Sequence, residues 1–280
     1  MLPTRSRKEN RNDPGVMTAM RNLYALYRKE LAHYFVSPVA YVLVGVFLVL
    51  AGFFFNFFLS SAIQQSFQIE MQSMRFGAPQ EFDVTGIVLR AFLGLLSTLV
   101  LFLSPMLAMS VYAEERKRGT IELLMTSPIT DLEIVIGKFL ASLTLYAIMI
   151  LPTAILVVFM NIRSEPHLPW RMVLIGYVGI LLLGASLLAL GSLISTFTEN
   201  QMIAGVLAFA ASLMIWVMDA GRKAEGWKGD LFSYLSLIRH YDDFTRGIVD
   251  TSALIYYFSF IFLCMFLTVR SLESMRWRRA

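Results

Sequence analysis

A helix that crosses a bilayer must close its own backbone hydrogen bonds and needs about 20 predominantly apolar residues to span the hydrocarbon. This chain supplies such a stretch six times in 280 residues, at 38–59, 87–111, 139–160, 170–195, 202–218 and 253–269. The composition agrees: 57% of residues are hydrophobic, 16% are charged, and the mean hydropathy is +0.63, too apolar for a water-soluble domain of this length. The pattern predicts an all-α, polytopic membrane protein with six transmembrane helices. The first stretch is not a secretory signal, because it is too long and leads into Phe55, Asn56, Phe57, Phe58 and Leu59 rather than a small-residue cleavage site. The single cysteine, Cys264, lies inside the last stretch, which excludes a disulfide framework or a cysteine metal site.

Lysine and arginine collect on the cytoplasmic side of a membrane. Seven precede the first span, four lie between the second and third (Arg116, Lys117, Arg118, Lys138), and four follow the last. The opposite loops carry nine, five of them between spans five and six. This distribution predicts a multi-pass protein with both termini and the segment 114–138 in the cytoplasm.

Local signals mark the helix ends. Thr130 with Glu133 forms a capping box opening the third span, and Thr198 with Gln201 forms another opening the fifth. Pro105 and Pro152 lie inside spans two and three, where each removes a backbone hydrogen bond and bends its helix. Gly176, Gly179, Gly184 and Gly191 give span four a small-residue spacing that suits close packing. The cluster of Phe53, Phe54, Phe55, Phe57 and Phe58 suits a lipid-facing or dimer-facing surface better than a substrate box.

Ahead of the first span, 22–36 sets Leu23, Leu26, Tyr27, Leu31, Tyr34 and Phe35 along one side, with Arg28, Lys29 and Glu30 elsewhere. This is the pattern of an interfacial helix, bounded at 20–37. Residues 1–19 have nothing to bury and are expected to be disordered, and the true start could be Met1, Met17 or Met20. Between spans five and six, in an outer loop at 220–252, residues 231–249 carry Tyr234, Leu235, Ile238, Tyr241, Phe244 and Ile248 at helical spacing. They predict either a half-inserted cap over the exit of a pathway or a simple interfacial anchor. His240, Asp242 and Asp243 lie close together there, but adjacent aspartates diverge on a helix and no second histidine is near, so no metal site is expected.

The loop between spans two and three is the least ordinary part of the chain. Glu114 and Glu115 can pair with Arg118 at helical spacing, so span two is expected to continue past the membrane as a charged stalk. Gly119 offers a helix end. Thr120, Ile121, Glu122, Leu123, Leu124 and Met125 follow, closed by Ser127 and Pro128, because the residue before a proline avoids helical geometry. The expected product is a short protruding helix of about two turns with exposed leucine and methionine side chains, and an apolar knob in water implies a partner that covers it.

These residues resemble a known family. Glu114-Glu115-Arg116-Lys117-Arg118-Gly119-Thr120-Ile121-Glu122-Leu123-Leu124, then Ser127-Pro128-Ile129 and Gly137-Lys138-Phe139, is similar to the signature loop of ABC-2 type transporter permeases, with the gliding-motility and nitrous-oxide-reductase-maturation branch nearest. The likeness continues in Ser195 to Gln201, in His240, Phe244 and Arg246-Gly247, and in Leu272-Glu273-Ser274-Met275-Arg276-Trp277. It implies a six-span domain at 38–270 with a cytoplasmic tail at 271–280, in a bacterial cytoplasmic (inner) membrane. It also implies homodimer or heterodimer formation with a second permease, and docking to an ABC ATPase subunit. By this resemblance, 20–37 is the connecting helix and Ile121 to Thr126 with its flanks is the coupling helix, positioned by Glu114, Glu115, Gly119, Thr120 and Glu122, within an ATPase-coupling set that also takes in Arg118, Ile121, Leu123, Leu124 and Pro128.

The chain carries no G-x-x-x-x-G-K-[ST] phosphate loop, since Gly137-Lys138 is followed by Phe139. ATP and Mg are therefore expected on the partner ATPase, with no cofactor, metal, catalytic residue or nucleic acid on this chain. Arg90 and Asp219 are the ionisable residues nearest the span interiors, which argues against an ion-coupled carrier. His33, His167 and His240 fall in three separate segments, so a membrane enzyme lacks its base. The expected function is export of an unidentified substrate, driven by a separate ATPase. The alternative is an ATP-driven scaffold that transmits mechanical work to an auxiliary protein with a large extracytoplasmic domain.

Overall fold

A computed structural model describes residues 14–76, 83–121, 129–164, 167–221 and 236–277. Among these residues ten α-helices and no strand occur. They are α1 (Pro14–Val36), α2 (Pro38–Phe76), α3 (Val84–Ala108), α4 (Ser110–Arg118), α5 (Asp131–Ile150), α6 (Thr153–Arg163), α7 (Trp170–Ser195), α8 (Gln201–Gly221), α9 (Leu237–Thr245) and α10 (Thr251–Trp277). Six segments are long and apolar enough to cross a membrane: α2, α3 with α4, α5 with α6, α7, α8 and α10. The protein is thus an all-α polytopic membrane protein.

Span four is the central post. Its most apolar window is 67% buried, against 17% for the windows of α2 and α8. The reason is the glycine row. A Cβ on Gly184 would lie 2.1 Å from the Tyr146 ring of α5, one on Gly191 2.5 Å from Ala108 Cβ of α3, and one on Gly179 2.5 Å from Phe244 Cβ of α9. Three neighbours therefore approach α7 to backbone distance, and the small-residue packing joins helices of the same chain. Around this post Phe47, Phe92, Leu93, Leu96, Tyr146 and Leu188 form the core.

Both interior prolines sit in spans that change course, but differently. Span three breaks at Leu151 and Pro152, where the Thr153 hydroxyl bonds to Ile150 O (2.7 Å) and pairs with the Tyr177 hydroxyl (3.0 Å). Ala154 N turns to Leu151 O (3.0 Å) at this break, and the Thr153 hydroxyl supplies Ile150 O with a donor in its place, as hydrocarbon requires. In span two α3 runs through Pro105, and the break comes four residues later, at Met109.

Several boundaries depart from the sequence expectation. The helix α1 begins at Pro14, so residues 14–19 are helical rather than disordered. The helix α2 does not stop at Leu59 but continues to Phe76, rising about 25 Å further at 1.5 Å per residue. Ser60, Gln64, Gln65, Gln68 and Gln72 break the apolar run without breaking the helix. The fifth span is capped by Asn200, whose side chain accepts from Met202 N (2.9 Å), rather than by Thr198. The helix of the outer loop, α9, ends at Thr245 rather than Val249 and is packed into the bundle: Tyr241 is buried and bonds to Leu93 O (3.0 Å), and Tyr257 of α10 bonds to Leu237 O (2.7 Å). Tyr234 and Leu235 lie outside the described residues. The phenylalanine cluster divides, with Phe53 and Phe57 exposed and Phe55 buried edge-on against Phe92 at 5.0 Å.

Candidate coupling site at the stalk

The stalk α4 continues span two but is not hydrogen-bonded to it as one uninterrupted helix. At the break the hydroxyl of Ser195, the last residue of α7, accepts from Tyr112 N (3.1 Å) and Ala113 N (3.0 Å) and donates to Met109 O (3.0 Å). One side chain thus enters the backbone ladder and uses the full capacity of a hydroxyl. The stalk begins where span four ends, and its entry angle is pinned by that residue.

A second bond set holds its flank. Lys138, about two turns into α5, is 2% exposed. Its Nζ lies 3.1 Å from Glu30 Oε2 of α1 and 2.9 Å from Glu115 Oε1 of the stalk, donates to Val111 O (3.1 Å), and sits 5.5 Å from the centre of the Tyr112 ring. One ammonium therefore ties the interfacial helix, the stalk and span three together. The helices meet closely here because Gly137 has no side chain; a Cβ would be 3.0 Å from Leu26 Cδ2. Beneath the ion group Leu26, Val111, Tyr112, Ile121, Ile134, Val135 and Leu272 form a separate small apolar core. Burial, reinforced by Glu30, Glu114 and Glu115, holds the Tyr34 phenol above the usual tyrosine range.

The third attachment runs to the turn between spans four and five. Arg116 donates to Thr196 O and to Glu199 Oε1, the latter at 3.1 Å. Thr196 in turn pairs with the Ser271 hydroxyl of α10 at 2.8 Å. The stalk ends at Gly119, which is left-handed with φ 70° and bonds to Arg116 O (3.2 Å). That conformation favours glycine, and Arg116, Lys117 and Arg118 place positive charge at the negative end of the helix dipole.

Of the residues assigned to the site from sequence, Glu114, Glu115, Arg118, Gly119, Thr120 and Ile121 are gathered at the stalk. Glu122, Leu123, Leu124 and Pro128 lie outside the described residues. Glu114 pairs with Arg118 at 2.6 Å, and Thr120 Oγ1 donates to Glu115 O at 3.4 Å. One expectation is corrected: Glu115 pairs with Lys138 rather than Arg118, because it points to the α5 side of the stalk. Ile121 is 4% exposed and belongs to the apolar core under the stalk.

Lys138, Glu30 and Ser195 were not identified from sequence as site residues. A signal for Lys138 existed: Ile134, Val135, Ala141 and Ser142 are its neighbours at helical spacing and are all buried, so the register puts Lys138 on the inward face. Glu30 falls in the same way between Leu26 and Tyr34 on the inward side of α1 rather than on its polar side. No local pattern marks Ser195, whose partners are more than 80 positions away.

With this geometry in view, comparison with known families is decisive. A family model described as ABC-2 family transporter protein matches residues 24–272, from α1 to the last turns of α10. The chain belongs to the ABC-2 transporter family. Comparison with curated proteins finds no match. As an ABC-2 transporter chain it is a multi-pass permease subunit that associates with an ABC ATPase and the membrane. The matched region includes both the stalk and α1, the two elements that Lys138 joins.

Proposed function

We infer that this subunit couples ATP hydrolysis on a separate ATPase to export across a bacterial cytoplasmic membrane, through the stalk and the coupling segment that follows it. The observation that carries the reading is the triple attachment of α4. A lever transmits movement only if it is fixed to what it moves, and Ser195, Lys138 and Arg116 fix it to the end of span four, to span three and to the turn between spans four and five. Closure of two ATPase subunits would push the segment 119–128 and, with it, the stalk, repacking the permease dimer by rigid-body movement. The ATP and Mg belong to the ATPase, the permease dimer is of two identical or two related chains, and both termini are cytoplasmic.

The test is co-purification of an ATPase with the tagged chain from cells expressing its genomic neighbours. Leu123→Asp with Leu124→Asp, or Gly119→Pro, is expected to leave insertion intact and release the ATPase. Retention of the ATPase by all these variants refutes the coupling assignment.

The length of α2 favours a second output on the opposite side. Its final turns carry Phe67, Met71 and Met74 exposed, well beyond the apolar segment. Exposed apolar side chains on a projecting helix suit an auxiliary extracytoplasmic subunit to which force is delivered. Recovery of such a subunit only with wild-type α2, and not with Phe67→Asp and Met71→Asp, would establish this reading.

A further inference from the structure

Between α1, the start of α2 and the stalk lie two adjoining cavities of about 310 and 210 Å³ that share His33, Ser110, Glu114 and Arg118 in their walls. They differ in chemistry. The larger is walled at one end by Leu43, Met106, Leu107 and Leu145. The smaller has three cations, Lys29, Arg118 and Lys138, and three carboxylates, Glu30, Glu114 and Glu115. From Met106 to Arg118 is about 18 Å along the helix direction, the passage from apolar wall to charged floor.

We propose that this crevice binds an inner-leaflet phospholipid with a zwitterionic, amine-bearing headgroup. The position in the inner leaflet rests on the coupling reading above, which puts the stalk on the ATPase side. The balanced floor decides the headgroup class: a singly charged anion meets the three carboxylates, whereas a phosphate with an attached ammonium finds both signs within reach. Arg118 is 64% exposed and spends one nitrogen on Glu114; among the described residues no other bond to its guanidinium occurs. That leaves donors for a phosphate, assisted by His33, which is 57% exposed and 3.8 Å from Glu114. The ammonium faces Glu114, whose Oε2 has His33 3.8 Å away while Oε1 pairs with Arg118. The acyl chain lies along Leu43, Met106 and Leu107, at the depth where α1 meets the bilayer.

The full chain, purified with its ATPase from mild detergent and equilibrated with equal parts of phosphatidylethanolamine, phosphatidylglycerol and phosphatidylcholine, is examined by native mass spectrometry. The expected result is at least one retained phosphatidylethanolamine per chain, enriched several-fold over the mixture. Met106→Trp, at a half-exposed position on the apolar wall, is expected to abolish the enrichment, while Met214→Trp, exposed on α8 away from the crevice, preserves it. Retained lipid matching the mixture, preference for phosphatidylglycerol, or enrichment unchanged by Met106→Trp overturns the proposal. So does a disulfide between two copies through Met106→Cys in a Cys264→Ser chain, which would show that protein covers the crevice. ATPase recovery in the same sample separates the two ideas: enrichment without ATPase sinks the coupling reading alone, and ATPase without enrichment sinks the lipid site alone.

Discussion

Replacing Lys138 with Met keeps the volume of the side chain and removes its charge. Glu30 Oε2 and Glu115 Oε1 lie 3.1 and 2.9 Å from the ammonium, so they are at most about 6 Å apart. At an effective dielectric of about 20, two carboxylates at that distance repel by about 3 kcal/mol once the cation is gone. Removing one partner of a buried pair typically costs about 3–5 kcal/mol, and both carboxylates here are largely enclosed. Lys138→Met is therefore expected to lower the unfolding midpoint of the detergent-solubilised protein by several degrees, followed by intrinsic tryptophan fluorescence. The diagnostic arm is the triple variant Lys138→Met, Glu30→Gln, Glu115→Gln. Removing all three charges is expected to recover most of the loss, because a well-packed neutral group can replace a buried ion group at little net cost. A single variant within about 0.5 kcal/mol of wild type, or a triple variant no better than the single, would refute the claim that this ammonium holds three helices together.

Further predictions use the same readout. Ser195→Ala strands two backbone N–H groups and a carbonyl, each worth about 1–3 kcal/mol if left unpaired, whereas Ser192→Ala nearby is expected to be near neutral, because the Ser192 hydroxyl is buried without a partner among the described residues. Equal losses at the two positions would deny Ser195 its role at the break. Gly184→Ala drives a methyl into the Tyr146 ring and is expected to destabilise by about 1–3 kcal/mol, while Gly45→Ala, with open space around it on α2, is expected to stabilise by several tenths. Tyr241→Phe removes the bond to Leu93 O and is expected to loosen α9 by about 1 kcal/mol, seen as faster amide exchange over 237–245.

The six spans were legible because the bilayer demands length and apolarity, and both are properties of a contiguous segment. The start of α5 was legible for a local reason, the reciprocal bonds of Thr130 and Glu133, which the structure contains. Most of what escaped depends on contacts between distant segments. The extension of α2 past Leu59 is the exception: its glutamines end the apolar run, although Ile63, Phe67, Met71 and Met74 recur there at helical spacing. The break at Met109 depends on a hydroxyl from span four. The depth of α9 depends on Gly179 receiving Phe244, a contact between distant segments. Lys138 is instructive, since a lysine near a loop reads as a solvated charge until its helical register is followed against the buried residues around it.

Contact between the stalk tip and the ATPase is read most directly by cross-linking in membranes of the full complex, in a Cys264→Ser chain carrying Thr120→Cys at the stalk tip or Phe67→Cys at the far end of α2, with a short thiol-to-amine reagent. An adduct of the mass of chain plus ATPase is expected from Thr120→Cys, none from Phe67→Cys, and loss of the adduct when Leu123 and Leu124 are also changed to Asp; such a contact is the basis of the coupling reading. An ATPase adduct from Phe67→Cys, or none from Thr120→Cys while the ATPase still co-purifies, would contradict it.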